Sequence, residues 1–164
     1  MKKFFILLTA CTMGFAYNAS AMTSDSNNPA PHYVEPTVDS IVSDVDDLVE
    51  LMKDGAFILY EDEILALNSS ITSDIYSLSG EDHLSALAYY LVSINEVDSS
   101  LGFSMERFFE LSDIADKWFH RLMDSYDTDA ECEKFNAELE LYGDAEALFI
   151  RQAVLTFAQL SLES

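Results

Sequence analysis

Ser104-Met105-Glu106-Arg107-Phe108-Phe109-Glu110-Leu111-Ser112-Asp113-Ile114-Ala115-Asp116-Lys117-Trp118-Phe119-His120-Arg121-Leu122-Met123-Asp124 is the stretch that decides the fold. Its apolar residues Met105, Phe108, Phe109, Ala115, Trp118, Phe119, Leu122 and Met123 recur at steps of three and four. That is the period of one buried helix face, and no alternating strand pattern fits it. The segment predicts a central amphipathic helix capped by Ser104, with the only Trp on its apolar side and Arg107, Lys117 and Arg121 among its outer charges.

Working outward, the same period returns on either side. Val38, Ile41, Val42, Val45, Leu48, Val49 and Met52 form a stripe behind Thr37, a suitable N-cap, and Asp54-Gly55 supplies the stop. Ala56 to Leu78 predicts a second helix, with a kink at Asn68-Ser69-Ser70. Glu81 to Val97 predicts a third, apolar nearly all round at its centre and so buried on several sides. Beyond the Trp118 helix, Thr128-Asp129-Ala130-Glu131 fits a capping box opening a fifth helix. After Gly143 and a capping Asp144, Ala147 to Leu162 is again apolar almost all round. The reading is all-α: a single-domain antiparallel bundle of about five or six helices over residues 37–164.

The N-terminus reads differently. Met1-Lys2-Lys3, the apolar run Phe4 to Ala16 and Ala19-Ser20-Ala21 form a secretory signal peptide over residues 1–21, cleaved after Ala21. Residues 22–36, with Pro29, Pro31 and Pro36, form a flexible lead-in. This places the protein in the periplasm or outside a bacterial cell. Leu8-Thr9-Ala10-Cys11 resembles a lipobox, which implies the less favoured alternative of a lipid anchor at Cys11. No membrane span is expected, because no segment reaches the ~20 apolar residues that one needs. With the leader gone only Cys132 remains, so packing and not a disulfide holds the domain.

Charge bounds the function. The 164 residues carry 8 Lys/Arg against 30 Asp/Glu, a net charge of -22, and losing Lys2 and Lys3 leaves -24. Such a surface repels nucleic acid and anionic lipid and favours cationic proteins or divalent ions. The leading expectation is a non-enzymatic binding protein, inhibitor- or immunity-like, that engages a basic protein partner and needs no cofactor. The first-helix acids Asp39, Asp44, Asp46, Asp47 and Glu50 are its contact patch. The alternative is a divalent-cation-binding or buffering protein. Asp113, Asp116 and His120, at i, i+3 and i+7, carry ligand-type oxygen and nitrogen, although Asp113–Lys117 and Asp116–His120 also read as ordinary i,i+4 pairs. Asp127 to Glu138 superficially follows calcium-loop spacing, with Cys132 where the turn needs Gly.

A small hydrolase is the third expectation, without a nucleophile–His pairing to support it. His83, after Glu81 and Asp82, reads as a surface side chain drawn to those acids. Cys132 reads as a small buried hydrophobe. The helix 147–162 reads as a core helix, with the alternative of an apolar face that docks a second copy of the chain or another protein.

Overall fold

Six apolar stripes give six α-helices, and among the described residues no strand interrupts them: α1 (Val38–Lys53), α2 (Glu61–Ser77), α3 (Gly80–Asn95), α4 (Met105–Asp124), α5 (Thr128–Leu139) and α6 (Asp144–Glu163). This computed structural model describes residues 34–53 and 59–163. The leader, Cys11, residues 22–33 of the lead-in and the Asp54-Gly55 stop lie outside the described residues.

Local chemistry sets most of the starts. The Thr37 hydroxyl accepts from the Ser40 N–H at 3.2 Å, and the Thr37 N–H donates to Ser40 Oγ at 2.9 Å. Two donors at the head of α1 are thereby satisfied. Ser104 Oγ accepts from the Arg107 N–H at 3.2 Å and starts α4 as its sequence predicts. The fifth helix corrects its expectation by one residue. Asp127 is the cap, accepting from the Ala130 N–H at 3.2 Å, while Glu131 turns to Arg121 and Lys134 instead of back to the helix start. Asp144 is already the first helical residue of α6, and the Gly143 carbonyl accepts its first-turn bond from Ala147.

The second helix starts at Glu61, five residues later than expected, with Glu61, Asp62 and Glu63 set against its positive end. It runs unbroken through Asn68-Ser69-Ser70. There the Thr72 hydroxyl bonds back to the Asn68 carbonyl at 2.9 Å, and the Asn68 side chain accepts from Tyr90 at 2.7 Å.

One apolar cluster joins all six helices. The buried stripe of α4 is Leu111, Ala115, Trp118 and Leu122; Phe108 and Phe119 are half-buried, and Met105, Phe109 and Met123 stay exposed. α3 lies against α1, α2, α4 and α6, as its nearly all-round apolar centre requires. Ile41, Leu48, Ile71, Ile75, Leu111 and Phe149 are fully enclosed, each worth about 1.5–3 kcal/mol of transfer free energy.

Cross-helix contacts give relative directions. Asp46 meets Tyr89 and Lys53 meets Glu96, both 43 residues apart, so α1 and α3 run the same way. Arg107–Glu146 and Phe119–Phe157 do the same for α4 and α6. Tyr90–Asn68 and His83–Ile75 set α3 against α2 in opposite directions. Among the described residues no helix is long and apolar enough to cross a membrane.

Candidate functional site

The acidic patch of α1 follows from which face that helix buries. Ile41, Val45, Leu48 and Val49 turn inward, so Asp39, Asp46, Asp47 and Glu50 project outward and Asp44 lies half-buried on the flank. The Tyr89 hydroxyl donates to Asp46 Oδ1 at 2.7 Å, and that carboxylate is the main reason the Tyr89 phenol titrates above its usual value. Lys53 is the only Lys or Arg between residues 34 and 103, and it reaches across to Glu96, the C-cap of α3, at 2.9 Å. Asp39, Asp44, Asp47 and Glu50 make no ion pair among the described residues.

The α4 trio does not converge. Asp113 pairs with Lys117, raising the Lys117 pKa, and Asp116 lies 3.5 Å from His120. Among the described residues no group of three His, Cys, Asp or Glu side chains is placed to hold a metal ion. The 127–138 acids are dispersed by helix geometry: Asp127 caps α5, Glu131 binds Arg121 and Lys134, and Glu138 accepts from Trp118 Nε1 at 3.0 Å. The two cations, Lys134 first, hold the Glu131 carboxyl below its usual range.

His83 is the site residue that the linear reading misplaces. It is 7% exposed, not a surface side chain held by Glu81 and Asp82. The Ile75 carbonyl lies 2.8 Å from Nδ1, and because a carbonyl only accepts, that nitrogen carries the hydrogen. The Gln152 side-chain amide lies 3.2 Å from Nε2, where its NH2 end, turned to the ring, donates to that unprotonated nitrogen, and the Tyr76 ring packs at 5.6 Å between centroids. With both nitrogens engaged, the ring pins α3 to the end of α2 and to α6. The signal was present in the sequence: His83 shares the i, i+4, i+8 row with Leu87 and Leu91, the buried face of α3.

Beside His83 lies a groove of about 190 Å³, between the α2–α3 turn and the second half of α6. Gly80, at φ +60°, makes the turn, a backbone shape that side-chain-bearing residues rarely adopt. Tyr76, Leu155, Thr156 and Gln159 border the groove. It continues through Ser79, Gly80 and Gln159 into a wider outer hollow of about 580 Å³ flanked by Glu81, Asp82 and Glu163.

In α4 to α6 four of the five cations are held in ion pairs within the fold. Arg107 Nε donates to Glu146 Oε1 at 2.7 Å and Nη1 to Glu110 Oε2 at 2.6 Å, which raises its pKa further and keeps it charged. Arg121 lies 4.4 Å above the Trp118 ring while its Nε meets Glu131 at 2.5 Å. Arg151 makes no ion pair among the described residues. Comparisons with protein-family models, with characterised proteins and with solved structures found no match to this chain.

Proposed function

We propose that this chain is an exported, non-enzymatic binding protein of a bacterial envelope. In this reading its leader is removed after Ala21, its six helices alternate in direction along the chain, and it engages a basic protein partner through the outer face of α1. An inhibitor- or immunity-type role fits the size, compartment and charge together. The observation that carries the reading is where the one cation of residues 34–103 goes. Lys53 turns to Glu96, which leaves Asp39, Asp47 and Glu50 exposed with no counter-ion among the described residues. Concentrated like charge of this kind steers a cationic partner and speeds its encounter by about 10- to 1,000-fold.

The test is capture from envelope extract at low and high salt, using the wild type and an Asp39→Lys/Asp47→Lys/Glu50→Lys variant. A defined basic protein should be held at low salt, released at high salt and lost by the variant. Its association rate should fall at least tenfold in the variant. Equal retention by the variant would remove α1 from the reading, and an empty capture would remove the partner.

A further inference from the structure

We propose that the groove between the first turn of α3 and the second half of α6 receives a lysine side chain of the basic partner. The inference rests on the partner reading above and adds a contact selected by shape as well as charge.

Thr156 is the observation that points to a ligand. It is 3% exposed, it borders the groove, and its hydroxyl makes no hydrogen bond among the described residues. A threonine inside a helix commonly bonds back to a preceding carbonyl, as Thr72 does to Asn68 in α2. Thr156 does not, and its oxygen, not fully enclosed, is left open at the groove.

The surroundings select the occupant. Glu81, Asp82 and Glu163 flank the outer hollow, so an anion is repelled. No metal-holding group exists among the described residues. A purely apolar ligand would cover Thr156 and Gln159 without bonding them, leaving polar groups desolvated. The inner groove, about 190 Å³, has room for a single side chain, and the carboxylates flanking the outer hollow of about 580 Å³ favour a cationic occupant. What fits is one long side chain with an apolar stem and a cationic tip.

Tyr76 and Leu155 offer the stem an apolar wall. The Thr156 hydroxyl, the Gln159 amide oxygen and the carboxylates at the mouth are separate single acceptors. They suit the three freely rotating donors of an ammonium better than the rigid fork of a guanidinium, which prefers paired carboxylate oxygens. The outer hollow leaves room for the chain on either side of the lysine.

The experiment is an NMR titration of the ¹⁵N-labelled protein with Nα-acetyl-lysine amide, and with its norleucine analogue, which keeps the stem and lacks the ammonium. The lysine probe should give saturable shifts centred on the amides of Gly80, Thr156 and Gln159, and the norleucine probe should not. Thr156→Val, nearly isosteric, and Gln159→Ala, at an exposed position, should each weaken the lysine probe at least threefold. Shifts spread evenly over the acidic surface, equal binding of norleucine, or unchanged affinity in both groove variants would overturn the proposal. Saturable groove binding together with an empty capture keeps the groove and removes the α1 reading. A captured partner that binds Thr156→Val and Gln159→Ala undiminished removes the groove and keeps that reading.

Discussion

The α1–α3 half and the α4–α6 half share one apolar core and differ in how they cross-link their helices. In the first, neutral tyrosine hydroxyls do most of it, beside the one ion pair Lys53–Glu96: Tyr89 bonds Asp46 and Tyr90 bonds Asn68, both at 2.7 Å. In the second, arginines do it: Arg107 reaches Glu146 from α4 to α6, and Arg121 reaches Glu131 from α4 to α5. Residues 34–103 contain one Lys or Arg, whereas residues 104–164 contain five. The difference teaches where negative charge remains available. Carboxylates in the second half are partly neutralised by the fold itself, while those of the first half face outward largely uncompensated.

The largest expected effect asks whether the halves are one cooperative unit. Phe149 is 1% exposed and touches Phe103, before α4, and Phe108, within it. Phe149→Ala should cost about 3–5 kcal/mol in a single thermal transition. Two separated transitions by calorimetry would break the shared-core picture. Next comes the joint between the halves. A Cβ at Gly102 would collide with the Leu91 carbonyl, which accepts the Phe103 N–H at 3.3 Å, so Gly102→Ala should cost about 1–3 kcal/mol by denaturant titration. A neutral result would mean that this joint has slack.

How much of this was legible follows from what each feature depends on. Helix existence depends on short-range periodicity, so the stripe of α1, the existence of α4 and α6 and the caps at Thr37 and Ser104 could be read directly, whereas the buried row of α4 takes Leu111 and leaves Met105, Phe109 and Met123 outside. The start of α2 was misplaced because Ala56 to Leu59 continue an apolar composition without the later helix's regular row. His83 was misread because its linear neighbours Glu81 and Asp82 suggest surface, while its row with Leu87 and Leu91 decides burial. The groove was invisible, since Thr156 and Gln159 lie more than 70 residues from the turn they face. The acids of α4 and α5 looked like ligand sets because spacing alone cannot show that Lys117, Arg121 and Lys134 occupy them.

Two smaller effects sharpen the contrast through opposite pH limbs. Burial raises the Tyr90 pKa, so the folded state binds that proton more tightly than the unfolded chain. Its stabilisation is complete below about pH 10 and is lost as pH rises through the folded value. Tyr90→Phe should cost about 0.5–1.5 kcal/mol at neutral pH and flatten the alkaline limb of the stability curve. Glu131 has the opposite sign. Its lowered pKa adds stability above about pH 4.5 that disappears as pH falls through the folded value. Glu131→Gln should flatten the acid limb and leave the alkaline limb untouched; parallel flattening of both would undo the division between the halves. This is the smallest effect of the four, because the partner cations Arg121 and Lys134 are exposed and water screens the pairs from their side.

The single Trp118 is 5% exposed, packs against Phe135 of α5, lies beneath Arg121 and donates to Glu138. The molecule therefore carries an optical reporter at one address only. Its indole emission will register the docking of α5 on α4 and remain blind to events on α1. Intrinsic fluorescence can follow the arginine-linked half as it unfolds, but binding at the tyrosine-linked half has to be watched by a label placed there.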